Sequence, residues 1–382
     1  MPSRRSVLAT TLGGLSGLAL AGGLTTAPAN ATPVDAATRT KLWGWAMDQV
    51  DFIESKTVAS GAVRSPTDDL ITPYFTSWGM MGLAAVNTPK ARSILGGFIE
   101  WYLAHLNTAE EDTYGFGGTV FVYAYDAETG AETSTNAYSS VDAGVTCPLI
   151  MAHDAVRTGD KDLQALVLDN MESWELMATA VVEYEPAGVR AEDDICWSRP
   201  RPNNMGYVQD NAVIYLGLKN LAWLERRAGR GKQARFYDEK AEATRSRMLS
   251  KLWNAERQNW NWGHGTNLAK LSYPEKAFMP DAWCQYWQTG LKVVQPDSPE
   301  AIASWKAYNE GVPRWMYNEI DNNFPHTEMA LTAVLMGDTE NAITLLETVN
   351  TKFGPDWAAP WYVGEAGHYL RTVMAMIGPN RH

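Results

Sequence analysis

From about residue 36 to residue 378 the chain is a succession of helix-patterned segments, joined alternately by very short turns and by long irregular loops. Twelve segments are predicted, over 36–57, 70–86, 89–107, 138–157, 161–182, 204–228, 232–254, 278–294, 298–311, 324–337, 338–353 and 359–378. Arg157-Thr158-Gly159-Asp160 and Met336-Gly337-Asp338-Thr339 read as helix–glycine–cap–helix turns, and Gly229-Arg230-Gly231 as a third tight connection. Long loops over 108–137, 183–203 and 255–277 alternate with them. Six hairpins of this kind predict an all-α fold, an (α/α)6 toroid with its long loops on the rim where the inner helices begin. Stretches 119–125 and 192–197 alternate like strands, which predicts small β-hairpins on that rim. The competing architecture is an α-helical superhelix with open ends.

In a toroid the even-numbered segments line the interior, and their starts carry recurrent polar clusters. These are Tyr74/Thr76/Trp78, Ser139/Ser140/Asp142 and Tyr207/Asp210/Asn211, then Asp281/Trp283/Gln285, Asn323/His326/Glu328 and Trp361/Tyr362/Glu365/His368. A carboxylate in a first helical turn is favoured by about 0.3–1 kcal/mol, so each acid taken singly is an ordinary helix start. Asp210 is not ordinary. The residues after it, from Ala212 to Leu224, are apolar nearly all round. Such a helix is buried, and an acid in its first turn then faces a partner or a cleft, where its raised pKa suits a general acid. Asp142 opens a second largely apolar segment, Ala143 to Met151, and is the nearest candidate partner.

The run GYVQDNAVIYLGLKNLAWLERRAG at 206–229, followed by KLWN at 251–254, resembles the six-hairpin glycosidase-like superfamily, including the unsaturated glucuronyl hydrolases. AYSSVDAG at 137–144 with AHDAVRTGDKD at 152–162 resembles the preceding hairpin of related bacterial polysaccharide-processing proteins, and AFMPDAWCQYW at 277–287 a later inner-helix start. The resemblance covers 36–378 and implies an (α/α)6 fold and glycoside chemistry, with Asp142 and Asp210 as matched positions. Around Asp142 the sequence characteristic of the glucuronyl hydrolases is absent, so their substrate is not implied. Glycoside hydrolysis uses two carboxyl groups astride the scissile bond, about 6.5–9.5 Å apart for inversion. The expectation is a secreted glycoside hydrolase, inverting, with Asp210 as general acid and Asp142 as base; Glu365, Asp281, Asp194 and Asp321 stand in reserve.

Composition supports a sugar cleft. Sixteen Trp and sixteen Tyr stand beside nine Phe, an excess of rings that combine an apolar face with a hydrogen-bonding edge. The expected substrate-binding residues are Trp78, Trp197, Tyr207, Trp262, Trp283 and Trp361, with Asn211, His264, Asp281, His326 and Glu365 making polar contacts. A net charge of −12 argues against nucleic acid or an anionic membrane as partner. The three cysteines, Cys147, Cys196 and Cys284, show no CxxC spacing, and no HExxH motif occurs, so no metal or other cofactor is expected. A Cys196–Cys284 disulfide and the oligomeric state stay open. At the N-terminus, Arg4-Arg5, an Ala/Gly/Leu-rich stretch and Ala29-Asn30-Ala31 predict a cleaved twin-arginine-type export signal over 1–31, leaving 32–382 as a single catalytic domain. No other run is long enough to span a membrane. Two rivals remain. One is a polysaccharide lyase using Tyr207 with Arg199 or Arg201, or one of His264, His326 and His368. The other is a glycan-binding protein without catalysis.

Overall fold

The computed structural model describes residues 34–65, 69–200, 205–264, 278–320, 324–354 and 356–378. The export signal, Arg201, Asp321 and Asn323 lie outside the described residues. The helices are α1 (Ala36–Lys56), α2 (Pro73–Val86), α3 (Pro89–Ala104), α4 (Asp142–Arg157), α5 (Lys161–Leu168), α6 (Met171–Val182) and α7 (Val208–Arg227). They continue with α8 (Gly231–Lys251), α9 (Trp287–Gly290), α10 (Pro299–Gly311), α11 (Glu328–Leu335), α12 (Thr339–Phe353) and α13 (Val363–Ile377). Local chemistry starts several of them. Asp35 and Thr88 accept from the N–H groups of Thr38 and Ala91 at 2.8 and 3.2 Å, and α2, α3 and α10 begin with a proline in the first turn.

Inner elements follow one another around a closed ring: α2 packs on α4, α4 on α7, α7 on α9, α9 on α11, α11 on α13, and α13 back on α2. The outer layer is α1 on α13, α3 on α2, α5 and α6 on α4, α8 on α7, and α12 on α11, while α10 packs on the turn before α9. Burial separates the layers. Helix α7 is buried on nearly every face, whereas α8 buries only the stripe Ala234, Tyr237, Ala241, Thr244 and Met248. The seam where the ring closes is made by glycines. A Cβ on Gly367 of α13 would sit 2.1 Å from the Trp78 carbonyl oxygen, and one on Gly82 of α2 would sit 2.7 Å from the Gly367 Cα. The two backbones meet at a distance only hydrogen side chains permit.

The all-α toroid is therefore as read from the sequence, with three local differences. The segment expected over 161–182 is two helices, broken at Asp169 and Asn170. The one expected over 278–294 is mostly irregular. Met279 is extended (φ −104°, ψ 134°), as a residue before proline tends to be, and only short turns over 278–285 and the four-residue α9 follow. Of the two hairpins predicted, the first is part of a three-stranded antiparallel sheet, β1 (Leu70–Ile71), β2 (Tyr123–Tyr125) and β3 (Glu132–Ser134), in the register Leu70 opposite Ala124 and Tyr123 opposite Ser134. The stretch 192–197 enters a single isolated bridge, Cys196 with Arg190. Two further two-stranded pairs are present: β4 (Gly206–Tyr207) pairs with β7 (Gly263–His264), and β5 (Trp253–Asn254) with β6 (Asn259–Trp260). No helix among the described residues is long and apolar enough to cross a membrane. All three cysteines are free and buried, so Cys196 and Cys284 are not bridged.

Candidate active site

The starts of the inner helices surround a cleft of about 700 Å³. Its apolar side is a ring cluster: Trp78 packs on His368 with centroids 4.8 Å apart and on Trp287 at 5.6 Å. Tyr74, Tyr207 and Tyr362 add hydroxyl-bearing rings, and Ser139, Ser140, Ser198 and Arg199 form a polar edge. Two carboxyl groups line the cleft among the described residues, Asp210 and Glu328.

Their environments drive them in opposite directions. Asp210, in the first turn of α7, is 7% exposed; burial, reinforced by the charge of nearby Asp142, pushes its pKa well above the usual carboxylate range. Glu328, the first residue of α11, is 8% exposed, and burial alone would raise it too. Opposing that, Glu328 Oε1 receives the indole N–H of Trp283 at 3.0 Å and the hydroxyl of Tyr286 at 2.9 Å, and lies 3.0 Å from His326 Nδ1. The charge and hydrogen bond of His326 outweigh desolvation and hold Glu328 down to about 2. His326 itself, which burial would lower, is raised by Glu328. His368 is lowered by burial to about 3 and stays neutral. The two cleft carboxyl groups are thus pushed apart, Asp210 toward its protonated form and Glu328 toward its ionised form, an arrangement suited to acid–base chemistry.

The other expected site residues divide. Trp78, Tyr207, Trp283 and His326 line the cleft. Asp142 is 0% exposed and does not line it; its Oδ1 accepts the Ala143 N–H at 2.7 Å, and burial pushes its pKa up to about 7. Asn211 is also 0% exposed, and its amide is spent on backbone, accepting from Cys196 N at 2.9 Å and donating to the carbonyls of Cys196 and Tyr207 at 3.0 and 2.9 Å. It ties the 183–200 loop to the start of α7 instead of reaching a ligand. Glu365 is 0% exposed and caps α11 from the neighbouring helix α13: its two oxygens accept the N–H groups of His326 and Thr327 at 3.0 and 2.8 Å and the Thr327 hydroxyl at 2.6 Å. Trp361 is buried behind α13, its indole donating to Gln49 Oε1 at 3.1 Å. Asp281 is not among the cleft-lining residues. Trp197 and His264 stack at 6.0 Å beside a neighbouring hollow that Asp193 also lines, and Trp262 stacks on Tyr207 at 5.9 Å. Of the reserve acids, Asp194 accepts from Arg190 and Tyr184 at 3.0 and 2.9 Å in the 183–200 loop, away from the cleft.

His326, Glu328 and Glu365 bring ligand atoms within 4.8 Å of one another, as a metal site would. The donor set does not fit one. Glu365 Oε2 and Glu328 Oε1 each already receive two N–H or O–H groups and Glu365 Oε1 one, which leaves the buried, unpartnered His326 Nε2 short of the three or four free ligand atoms a protein site supplies. The residue that sequence reasoning passed over is Glu328. Its signal was the one that singled out Asp210: an acid opening an otherwise apolar run, here Met329-Ala330-Leu331.

No protein-family model matches the chain, and no curated protein sequence matches it. Solved structures do. A glycosidase in complex with glucose superposes with a TM-score of 0.58 at 14% identity, over 90% of this chain and 99% of that one. A β-1,3-1,4-glucanase from Paenibacillus sp. X4 gives 0.59 at 12% identity, over 94% and 97%. A metal-independent α-mannosidase from Streptococcus pneumoniae, bound to α-1,6-mannobiose, gives 0.60 at 12% identity, over 89% and 96%. The fold is a helical toroid that these solved structures share. At these identities the likeness concerns the fold, and the chemistry has to be argued from the cleft.

Proposed function

We propose that this protein is a glycoside hydrolase, cleaving a sugar–sugar or sugar–aglycone bond with inversion. Asp210 is the general acid and Glu328 the general base. The observation that carries this reading is that Asp210 and Glu328 line one aromatic cleft in environments that push their pKa values in opposite directions. Asp210 gives its proton to the glycosidic oxygen as the bond from that oxygen to the anomeric carbon breaks. On the other face of the sugar, Glu328 takes a proton from a water whose oxygen bonds to the same carbon. The products are two hydroxyl-bearing sugars, and solvent returns each carboxyl group to its starting state. Trp78, Trp283 and Trp287 offer ring faces and edges for the C–H surface of the sugar. Asp142, first expected as the base, is assigned a different part here: a buried neighbour whose charge helps keep Asp210 protonated.

The lyase alternative needs Tyr207 or a histidine as base; His264 lines the neighbouring hollow, His326 is paired with Glu328, and burial lowers His368 to about 3, which makes it a poor proton acceptor. Tyr207 lines the cleft, but burial and the charges of Asp210 and Asp142 raise its pKa, despite the lowering effect of Arg199. We further propose, from the paired arginines and Ala29-Asn30-Ala31, that the protein acts outside the cytoplasm; intact-mass analysis of exported protein would then show a start near residue 32. The test of the activity is digestion of a glycan and p-nitrophenyl glycoside panel with product mass spectrometry, followed by NMR of the anomer first released. Hydrolysis with inversion is expected. Unsaturated products would establish the lyase, and binding without cleavage would establish a lectin-like role.

A further inference from the structure

Asp210 and Glu328 divide the cleft into a side that receives the leaving group and a side that holds water and the glycosyl unit. Charged groups are distributed unevenly between them. On the Glu328 side the basic residues that line the cleft are His326, already paired with that carboxylate, and His368, which burial lowers, so neither is free for an anionic sugar. On the Asp210 side burial favours the neutral carboxyl group, and Arg199 stands at the exposed edge of the cleft. Both Asp210 and Arg199 act on the Tyr207 hydroxyl, the first raising and the second lowering its pKa, which puts all three in one neighbourhood.

Arg199 is held for a purpose other than pairing with protein acids. Its Nη2 donates to the carbonyls of Ser139 and Tyr138 at 3.0 and 3.4 Å, and its guanidinium makes no ion pair with a described residue. Nη2 is anchored on backbone, which leaves Nε–H and the two Nη1 hydrogens free to donate charge-assisted hydrogen bonds to an acid in the cleft. Ser140 and Ser198 line the same polar edge. In a chain of net charge −12, a cleft that places a cation here and an anion opposite selects against negative charge on one side only.

We propose that Arg199 makes the leaving-group side of the cleft a subsite for a carboxylate. The unit released next to Asp210 is a sugar acid or other hydroxy acid, and the glycosyl unit held next to Glu328 is uncharged. This rests on the glycosidase reading for the direction of cleavage, while the anion subsite itself does not require turnover.

The experiment has two arms. In the first, hydrolysis is compared on two disaccharides with the same uncharged glycosyl unit, chosen from the panel above, whose released unit is either glucose or glucuronate. Wild type should prefer the glucuronate compound by tenfold or more in kcat/KM. The preference should fall to within about threefold in Arg199→Met, be partly kept in Arg199→Lys, and shrink with added salt. In the second arm, binding of free glucuronate and free glucose is read by tryptophan fluorescence on Asp210→Asn protein, with and without Arg199→Met. Glucuronate should bind at least tenfold more tightly, and only where Arg199 is present. Equal handling of the two sugars in both arms, or a preference that survives Arg199→Met, overturns the proposal. Absence of turnover together with Arg199-dependent glucuronate binding would overturn the glycosidase reading and leave the subsite standing.

Discussion

Replacing Asn211 by alanine is the sharpest test of how the cleft is held. Asn211 and Cys196 are both 0% exposed, and the Asn211 amide is the hydrogen-bond partner of both the Cys196 N–H and the Cys196 carbonyl. Asn211→Ala leaves that buried donor and that buried acceptor without partners, at a cost of about 1–3 kcal/mol each. The third bond, to the Tyr207 carbonyl, lies closer to solvent, so water can replace it. Some relaxation of the loop is expected, and the net loss should be about 2–4 kcal/mol. For a chain of this size about 2 °C of Tm goes with each kcal/mol, which gives a fall of roughly 4–8 °C in differential scanning calorimetry. The same latch positions Ser198 and Arg199 at the cleft edge, so KM for a cleaved glycan should rise by an order of magnitude or more. A Tm within 1 °C of wild type with a raised KM would refute the reasoning, because that result describes a residue that touches substrate and holds nothing.

Other outcomes follow from the same structure. Asp210 works protonated, so activity should be present below its raised pKa and lost as pH rises through it; Asp142→Asn removes the neighbouring charge and should move that alkaline limb to lower pH while leaving most of the turnover. Loss of activity as complete as that of Asp210→Asn would instead make Asp142 the base. Gly367→Ala pushes a methyl group into the Trp78 carbonyl at the ring seam, and should cost about 3 kcal/mol or abolish folding, read by urea denaturation; a neutral result would mean the seam is looser than described. Prolonged EDTA treatment followed by gel filtration should leave kcat/KM unchanged, and activity restored only by added metal would contradict the hydrogen-bonded reading of the His326–Glu328–Glu365 cluster.

Much of the architecture was legible because helical period, glycine turns and loop lengths are local signals that a closed ring does not override. The long apolar run after Asp210 announced a buried inner helix, and α7 is one. What was not legible depends on who stands opposite. Glu365 and Asp210 look alike in sequence, each in the first turn of an inner helix, yet the two N–H groups that open α11 claim Glu365 as a cap. Asn211 looks like a ligand-binding neighbour of the acid until Cys196, fifteen residues earlier, takes its amide. Glu328 had the right local signal but needed Trp283 and Tyr286, brought from the preceding inner segment, together with His326 two residues before it, to hold it toward the ionised form. The broken segment at 278–290 was obscured because an apolar, aromatic-rich run reads as helix even where Pro280 interrupts it.

The account's central claim is that Asp210 and Glu328 are the acid and the base of one hydrolytic site. The most direct measurement is kcat/KM for Asp210→Asn and Glu328→Gln on the glycan that wild type cleaves, with folding verified by calorimetry. Both variants should lose at least about 10³-fold. Retention of a tenth or more of wild-type turnover by either folded variant would contradict it.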